Sequence, residues 1–345
     1  MSTRPLSLFG LGADRDFATR VAAELAVPLA PHEERVFEDG EHKARPLQGV
    51  RGHDAFVIHA LHGEAVQCAP GQSSPGQSSP GQSAVEQSSL GQSPNDKLAR
   101  LLFFCGALKD AGAACVTAVT PYLCYARKDR RTKPNDPITT RYVAAMIEAV
   151  GVDRLIAVEV HNVAAFENAF RCPTVHLESA PLFARYFAAA LGAVPVVAVS
   201  PDAGGAKRAE QFRLALAALT GREVGSAYVE KFRSAGVLTG GRLVGEMRGQ
   251  TAVIVDDLIS TGSTLVRAAT ACREAGAVRV FAAAAHGLFI GGAPELMQTP
   301  ALEKIVILDT VPPFRLTPEV AARRLDMVGS AVSVARIIAG LRDPA

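Results

Sequence analysis

Residues 253–265 read Val-Ile-Val-Asp-Asp-Leu-Ile-Ser-Thr-Gly-Ser-Thr-Leu. An apolar run ends in two carboxylates, Asp256 and Asp257, and a short polar loop then leads into a segment of helical character. A short apolar run followed by turn residues predicts a buried strand, a turn and a helix. In open α/β sheets, ligands bind outside the carboxyl ends of strands, where such loops lie. The stretch therefore predicts an α/β fold with a ligand site after this strand.

The loop after this strand has the composition of a phosphate site. Gly262 permits a close approach of the backbone to an anion, and the neighbouring hydroxyl donors belong to Ser260, Thr261, Ser263 and Thr264. A helix N-terminus adds unpaired N–H groups and a positive partial charge. Asp256 and Asp257 would repel a phosphate, so they indicate ribose hydroxyls or a metal beside it. The alternative is an ordinary helix N-cap, which needs only one such residue.

Short apolar runs alternate with longer alanine-rich segments along the chain. The apolar runs are residues 55–59, 115–120, 155–158, 194–200, 251–256, 278–284 and 305–309. The helical segments are residues 138–150, 180–191, 204–219 and 264–275. Continuous apolar strands between helices predict mostly parallel sheets covered on both faces. Buried helix fragments are the alternative reading, which the short runs and flanking glycines disfavour.

Composition and charge exclude several classes of protein. The 345 residues are 48% hydrophobic and 20% charged, which suits a globular chain with room for two domains. A net charge of +2 implies no broad attraction to nucleic acid or anionic lipid. The six cysteines have no metal-ligand spacing and indicate reduced thiols. Without a signal peptide or a membrane-spanning apolar run, we expect a soluble cytoplasmic protein.

One segment departs from the α/β pattern. Within residues 69–93, the unit Pro-Gly-Gln-Ser-Ser occurs from Pro70 and from Pro75, and a third copy from Pro80 ends in alanine. Such a composition cannot bury enough apolar surface to offset the entropy of ordering, so it predicts a disordered insertion. The insertion falls between a strand ending near His59 and a helix starting near Asn95, and its length costs little. A docking motif is the alternative reading.

The 253–265 stretch closely resembles the phosphoribosyl-binding loop shared by phosphoribosyltransferases and ribose-phosphate diphosphokinases (phosphoribosyl-pyrophosphate synthetases). Other segments resemble the diphosphokinases at the same relative positions. These segments are Phe-Glu-Asp-Gly-Glu at 37–41, Tyr-Ala-Arg-Lys-Asp-Arg at 125–130 followed by Asp-Pro-Ile-Thr at 136–139, Val-Glu-Val-His-Asn at 158–162, Ser-Pro-Asp-Ala-Gly-Gly-Ala-Lys-Arg at 200–208 and Glu-Lys-Phe-Arg at 230–233. The resemblance covers nearly the whole chain outside the repeat. Taken alone, each segment has a plainer reading as a charged turn or a structural residue.

The resemblance implies a role for each segment. The residues implied to bind ATP are Phe37, Asp39, Glu41, Arg127, Lys128 and Asp129. The residues implied to bind ribose 5-phosphate are Asp256, Asp257, Ser260, Thr261, Gly262, Ser263 and Thr264. His161 and Asp202 would hold Mg²⁺, and Lys231 and Arg233 would be the two cations of a mobile catalytic loop.

The resemblance also implies the architecture. It predicts two tandem domains of the type I phosphoribosyltransferase kind, each a mostly parallel sheet flanked by helices. The expected domains are residues 1–178 and 179–324, followed by a C-terminal helix over 325–345 that returns to the first domain. A homo-oligomer is expected, a dimer or a hexamer, because the 37–41 segment reaches a neighbouring subunit's nucleotide in the family.

The chain departs from the family pattern at several positions. Lys128 stands where the family commonly has glutamine, Glu159 where it has aspartate, and Asn162 where it has alanine. Ser260 replaces an aspartate of many members, as in archaeal-type loops, and Asn135 replaces an arginine that binds regulatory phosphate. These departures bear on nucleotide preference and on control by phosphate and ADP.

The reaction implied is transfer of the diphosphate of ATP to the C1 hydroxyl of ribose 5-phosphate. A phosphoribosyltransferase is the rival enzyme, but it gives no role to the 37–41 and 127–129 segments. A catalytically silent relative that restrains true synthetases is the non-enzyme alternative. Such relatives often carry an insertion in the catalytic loop, whereas the insertion here lies elsewhere in the chain.

Overall fold

The chain forms two compact units, which are described separately. The computed structural model describes residues 4–64, 91–234 and 237–342, and between 231 and 241 it describes backbone alone. One unit comprises Met1–Leu177 together with Ala331–Ala345, and the other comprises Glu178–Ser330. The end of the chain therefore belongs to the first unit.

The first unit is built on a five-stranded parallel sheet in the order β1-β4-β5-β6-β7. The strands are β1 (Leu6–Gly10), β4 (Asp54–Ile58), β5 (Cys115–Thr120), β6 (Arg154–Val158) and β7 (Thr174–Leu177). A separate antiparallel hairpin joins β2 (His32–Val36) to β3 (His42–Pro46). Every residue of β4 is buried, which explains its uninterrupted apolar run.

Helices surround the first sheet. They are α1 (Arg15–Glu24), α2 (Pro94–Asp110), α3 (Thr139–Ala149), α4 (Val163–Ala169) and, from the end of the chain, α10 (Ala331–Arg342). Phe104 of α2 and Ile147 of α3 are fully buried in the core under the strands. Helix α10 lies against α1. A capping box formed by Ser93 and Asp96 starts α2 directly after the repeat region.

The second unit contains a seven-stranded sheet in the order β10-β9-β8-β11-β12-β13-β14. The strands are β8 (Val196–Ser200), β9 (Gly225–Ser234), β10 (Val237–Val244), β11 (Thr251–Ile259), β12 (Arg279–Gly287), β13 (Lys304–Leu308) and β14 (Leu325–Val328). The sheet is parallel except for β10, which is antiparallel to β9. The helices are α5 (Ala180–Leu191), α6 (Ala206–Thr220), α7 (Ser263–Glu274), α8 (Pro294–Gln298) and α9 (Pro318–Arg324).

The structure confirms the predicted α/β class and corrects one boundary. All seven predicted apolar runs lie on strands, and the four predicted helical segments are α3, α5, α6 and α7. The C-terminal helix was expected to begin at residue 325, but residues 325–328 pair with β13 as strand β14. Leu325 is buried against the second core, so this segment belongs to the sheet. The predicted disordered insertion lies outside the described residues except for 91–93.

The cysteines of the described ranges are free thiols. Burial raises the pKa of Cys105, Cys124 and Cys272 to about 12, so these three are neutral core residues. None of the helices in the described ranges has the length and hydropathy that crossing a bilayer requires.

Candidate active site

The carboxyl edge of the second sheet brings several predicted segments together. Strands β8, β9 and β11 are neighbours that run in the same direction, so the residues that follow them share one edge. Asp202 follows β8, and the loop containing Gly262 follows β11. A 3-10 turn, Ala203–Gly205, contacts both β9 and β11. The sheet topology thus places the predicted metal carboxylate beside the predicted sugar loop.

Gly262 is required by its backbone conformation and by a neighbouring side chain. Its φ of 83° lies in the left-handed region, where a residue with a Cβ is strained. A Cβ at this position would lie 2.6 Å from Cβ of Leu296 in α8. The loop can therefore sit against α8 only with glycine here. This packing role of Gly262 was not predicted from the sequence.

Hydroxyl groups surround the N-terminus of α7. Thr261 Oγ1 lies 3.5 Å from Ser263 Oγ. No acidic residue occupies the first turn of α7, which is described throughout, so its positive end is not neutralised from within the helix. Arg267, one turn along, donates from Nη2 to Thr264 Oγ1 over 3.3 Å. Together these groups give the loop donors suited to a phosphate.

Asp256 and Asp257 share a nearby cation. Arg208 Nη1 lies 3.9 Å from Asp256 Oδ1 and 4.0 Å from Asp257 Oδ1, and its side chain is 12% exposed. The N–H of Asp257 donates to Asp256 Oδ1 over 2.9 Å. Burial, reinforced by the adjacent Asp257 carboxylate, raises the pKa of Asp256 to about 8. Arg208 thus compensates the pair only in part, and sugar hydroxyl donors would favour the doubly ionised form.

Asp202 is held in a tight turn at the end of β8. Its Oδ1 accepts the N–H groups of Gly204 at 2.9 Å and Gly205 at 3.1 Å, which caps the 3-10 turn before α6. A Cβ at Gly205 would lie 2.8 Å from Ser200 Oγ, so this approach also needs glycine. The predicted metal carboxylate is therefore fixed by the backbone that follows it.

Lys231 and Arg233 lie on β9 beyond Tyr228, the last residue paired with β8. In the hairpin formed with β10, Lys231 is opposite Gly241 and Arg233 is opposite Leu238. Their side chains lie outside the described part of the structure, so the catalytic role of both residues stays a prediction.

In the first unit, Phe37, Asp39 and Glu41 occupy the exposed tip of the β2–β3 hairpin. The N–H of Phe37 donates to the carbonyl oxygen of Glu41 over 2.7 Å, and the N–H of Glu41 donates to Asp39 Oδ1 over 3.0 Å. The Arg35 guanidinium lies 4.8 Å from the centroid of the Phe37 ring. The tip is thus a hydrogen-bonded turn that carries one aromatic ring and three carboxylates, those of Glu38, Asp39 and Glu41.

A partly buried ion pair fixes this hairpin to α2. Arg100 Nη1 donates to Glu34 Oε2 over 2.7 Å, and the Arg100 side chain is 9% exposed. Burial opposes the charge of Glu34, but hydrogen bonds from His32 and the backbone of Gly12 outweigh it and lower the pKa of Glu34 to about 2. Glu34 is therefore ionised throughout the physiological range, and the anchor is permanent.

The predicted polyphosphate residues Arg127, Lys128 and Asp129 lie in the loop between β5 and α3. Lys128 Nζ lies 2.6 Å from Asp136 Oδ2. Asp129 Oδ2 accepts the side-chain amide of Asn162 over 2.7 Å. Lys128 and Asn162 are two of the positions at which the chain departs from the family pattern. Lys128 forms an ion pair within this loop, and Asn162 donates a hydrogen bond to it from outside.

The two predicted metal residues belong to different units. His161 is exposed and lies three residues beyond the last residue of β6, in the first unit, whereas Asp202 lies in the second. Among the residues that the structure describes, no group of three His, Cys, Asp or Glu side chains could hold a metal by itself. Mg²⁺ often binds one or two protein groups and completes its shell with water and substrate phosphates, so a sparse donor set fits this ion.

Comparisons with known proteins identify the family. The family model of the N-terminal domain of ribose phosphate pyrophosphokinase matches residues 6–151, and that of the phosphoribosyl synthetase-associated domain matches residues 239–338. Ribose-phosphate pyrophosphokinase 1 of Streptococcus agalactiae serotype III (strain NEM316) is 33% identical over 339 residues, which cover 96% of this chain and 94% of the relative. This chain belongs to the ribose-phosphate pyrophosphokinase family.

Two further relatives extend this assignment. Ribose-phosphate pyrophosphokinase 1 of Streptococcus pneumoniae serotype 4 (strain ATCC BAA-334 / TIGR4) is 34% identical over 316 residues, which cover 90% of this chain and 87% of the relative. The crystal structure of phosphoribosylpyrophosphate synthetase from Mycobacterium smegmatis matches with a TM-score of 0.81 and 29% identity over 98% of this chain and 99% of that one. The predicted pair of phosphoribosyltransferase-like domains is confirmed by this match, and the pyrophosphokinase is an enzyme of the transferase class.

The structure of this pyrophosphokinase adds residues that the sequence analysis did not assign. Arg208 was part of a quoted motif, but its contact with both acids of β11 depends on the pairing of β8 with β11. Arg267 gave no signal beyond its charge, and Asp136, part of the quoted 136–139 segment, gave no sign of its contact with Lys128. In the first unit, no hydrogen bond or ion pair among the described residues joins the hairpin tip to the basic loop, which is the segment between β5 and α3 that contains Arg127 and Lys128.

Proposed function

We propose that this pyrophosphokinase transfers the diphosphate of ATP to the C1 hydroxyl of ribose 5-phosphate, giving 5-phosphoribosyl 1-diphosphate and AMP. The observation that carries the proposal is the shared carboxyl edge of β8, β9 and β11. There an acid pair, a hydroxyl-rich helix N-terminus and the Asp202 turn are adjacent, in a chain whose relatives are named for this transfer.

The sugar phosphate binds in the loop after β11. The backbone and hydroxyl donors for the 5-phosphate are Ser260, Thr261, Gly262, Ser263 and Thr264. Asp256 and Asp257 accept hydrogen bonds from the ribose hydroxyls. This arrangement separates the two carboxylates from the phosphate by the length of the sugar, which removes the repulsion that their adjacency would otherwise create.

The nucleotide binds through the first unit. Phe37 offers its ring face to the adenine, and Asp39 and Glu41 accept amine or hydroxyl donors. The exposed Arg127 guanidinium is suited to bidentate contact with phosphate. Asp129 completes the proposed set, and Lys128 belongs to it only by the resemblance. The exposed hairpin tip supports its use in a homo-oligomer, where it would serve a neighbouring copy.

Mg²⁺ is the cofactor implied by the family. Asp202 would supply an oxygen ligand and His161 a nitrogen, and water molecules and ATP oxygens would complete the shell. When bound, the ion would neutralise phosphate charge and so favour attack at phosphorus.

The chemistry requires alignment more than covalent help. The C1 hydroxyl of the sugar attacks the β-phosphorus in line, the bond from that phosphorus to the α-phosphate oxygen breaks, and AMP leaves. Lys231 and Arg233 stabilise the negative charge on the transferring group. The acids of β11 orient the ribose so that its C1 hydroxyl faces the β-phosphorus.

The direct test is incubation of the purified chain with ATP, Mg²⁺ and ribose 5-phosphate, followed by chromatography of the nucleotides. We expect AMP and 5-phosphoribosyl 1-diphosphate in equal amounts, and no AMP when the sugar is omitted. A phosphoribosyltransferase would release no AMP but would consume 5-phosphoribosyl 1-diphosphate in the presence of a base. A catalytically silent relative would show neither reaction, and either result would refute the proposal.

A further inference from the structure

One carboxylate oxygen of Asp136 accepts hydrogen bonds from four donors of the basic loop. Its Oδ2 accepts from Lys128 Nζ at 2.6 Å, Thr132 Oγ1 at 2.7 Å, and the N–H groups of Thr132 and Lys133 at 3.0 Å each. Lys128 Nζ also lies 3.4 Å from Thr132 Oγ1. The hydrogen bond from Lys128, helped by those of Thr132, holds the pKa of Asp136 far below its usual range. The Lys128 ammonium is thus engaged inside the loop.

The backbone of Lys128 is also fixed. Its N–H donates to the carbonyl oxygen of Tyr125 over 3.2 Å, and its own carbonyl oxygen accepts from Thr140 Oγ1 at 3.1 Å. Thr140 is buried at the start of α3 and donates to the Tyr125 carbonyl oxygen as well, over 2.9 Å. Lys128 therefore joins the start of α3 through its backbone to the Asp136 turn through its side chain.

The remaining cations of the loop are differently placed. They are all exposed, and they are Arg127, Arg130, Arg131 and Lys133. No carboxylate of the described residues forms an ion pair with any of these four side chains. These four cations can therefore face a polyphosphate, whereas the Lys128 ammonium is paired with Asp136. The hydrogen bonds to Asp136 also fix the turn of the loop that carries them.

We propose that Lys128 is a positioning residue, which shapes the nucleotide loop through Asp136 and does not itself contact ATP. This inference rests on the proposed function and reassigns one of its predicted ATP-binding residues. The rival reading is that Lys128 leaves Asp136 and binds the nucleotide directly. The two readings predict opposite effects of Asp136→Asn on KM for ATP, because that change frees the Lys128 ammonium.

The test compares Asp136→Asn, Lys128→Met and the double variant, with KM for ATP and for ribose 5-phosphate measured by AMP release. We expect each single change to raise KM for ATP about fivefold, with KM for the sugar unchanged. The double variant should be no worse than Asp136→Asn alone, since that change already removes the carboxylate with which Lys128 pairs. Lys128→Arg, which keeps the ion pair, should stay close to wild type. If Asp136→Asn leaves KM for ATP unchanged or lowers it while Lys128→Met raises it, the inference is wrong.

A second Lys–Asp pair of the first unit provides a matched control. Lys109 Nζ lies 2.9 Å from Asp153 Oδ2, and the side chains are 31% and 40% exposed, against 34% and 22% for Lys128 and Asp136. Lys109→Met should leave both KM values unchanged, and an equal rise in KM for ATP would overturn the inference. ATP affinity measured by calorimetry without the sugar should rank the variants in the same order. A wild-type chain that binds ATP but releases no AMP would contradict the proposed function and leave this ranking measurable.

Discussion

Asn162 donates its side-chain amide to Asp129 Oδ2 over 2.7 Å, and its Oδ1 accepts the N–H of Ala165, which caps α4. One side chain thus connects the end of the segment after β6 to the loop after β5. This connection matters for the nucleotide because Asp129 is a proposed ATP residue and His161 directly precedes Asn162.

We expect Asn162→Ala to raise KM for ATP about fivefold, since a hydrogen bond to a charged group is lost and Asp129 is released. Initial-rate kinetics with each substrate varied in turn would measure this. Asn168→Ala is the control, because Asn168 lies on the same helix and donates only to the Ala164 carbonyl oxygen over 2.7 Å. Equal effects of the two substitutions would contradict a specific role for the Asp129 contact.

Asp256→Asn should stabilise the substrate-free protein in a pH-dependent way. The pKa of Asp256 is raised to about 8 from an ordinary value of about 3.9 in the unfolded chain. The folded state therefore binds more protons between these values, so the stability contributed by protonated Asp256 is present below pH 4 and lost as the pH rises to 8. The melting temperature of the variant minus that of wild type should grow between pH 5 and pH 8, as scanning calorimetry would show.

The same variant should lose affinity for ribose 5-phosphate, at least about tenfold, because an acceptor for a ribose hydroxyl is weakened. Calorimetric titration with the sugar phosphate measures this loss. A variant that gains stability at pH 8 yet binds the sugar as wild type does would remove Asp256 from the proposed site.

Replacing residues 65–90 with a short Gly-Ser linker should leave folding and turnover intact. The flanks are already closed, since the N–H of Glu64 donates to the Gln92 carbonyl oxygen over 2.8 Å and Lys97 Nζ lies 3.0 Å from Glu64 Oε1. The entropy of closing a connection depends only logarithmically on its length, and each halving changes the free energy of unfolding by about 0.6 kcal/mol. Denaturant unfolding and AMP release would check both expectations. As a control, Ser93→Ala in the full chain should cost about 1 kcal/mol, because it removes the cap of α2.

Gly262→Ala should abolish sugar binding, whereas Gly291→Ala should not. Both glycines have positive φ, 83° and 65°, but a Cβ at Gly262 would collide with Leu296 while one at Gly291 would meet no atom within 4 Å. Each substitution carries the left-handed backbone cost of about 1–2 kcal/mol, and only the first also displaces the loop. Ribose 5-phosphate titrations of both variants give the comparison, and similar affinities would show that the Leu296 contact is unimportant.

Lys231→Ala should lower kcat by about 10²–10³ while leaving the affinity for ribose 5-phosphate nearly unchanged, since the cation acts on charge that develops during transfer. Steady-state kinetics and direct titration of the sugar separate the two effects. Arg323→Ala is the matched loss of a cation, because Arg323 is exposed on α9 at the opposite, amino edge of the same sheet. Normal turnover in the Lys231 variant would exclude its proposed role.

The sequence predicted those elements whose signal is local. The β11 strand and its loop are consecutive residues, so composition and order were sufficient. The β2–β3 hairpin has no buried residue in β2, and its polar surface gave no apolar run to detect. Strand β14 has four residues with only Leu325 buried, so its signal was too short to separate it from the following helix.

The contacts that shape the site were not predictable because they join distant positions. Arg208 approaches Asp256 only through the pairing of two strands that are about fifty residues apart. Lys128 and Asp136 are eight residues apart in a loop, a spacing with no regular geometry, so nothing local indicated their ion pair. For Lys231 and Arg233 the prediction rests on resemblance and on backbone position alone.

In the second unit, Arg208 is placed to interact with the proposed sugar residues and follows the turn that contains the proposed metal residue, Asp202. It stands near the start of α6, whose preceding turn is held by Asp202, and its guanidinium faces both carboxylates of β11. Binding of a cation near Asp202 or of a sugar at the β11 carboxylates would change the electrostatic environment and the mobility of the Arg208 guanidinium. Binding of the cation and of the sugar phosphate at these proposed sites would then be thermodynamically linked, and the factor by which the cation changes sugar affinity would equal the factor by which the sugar changes cation affinity.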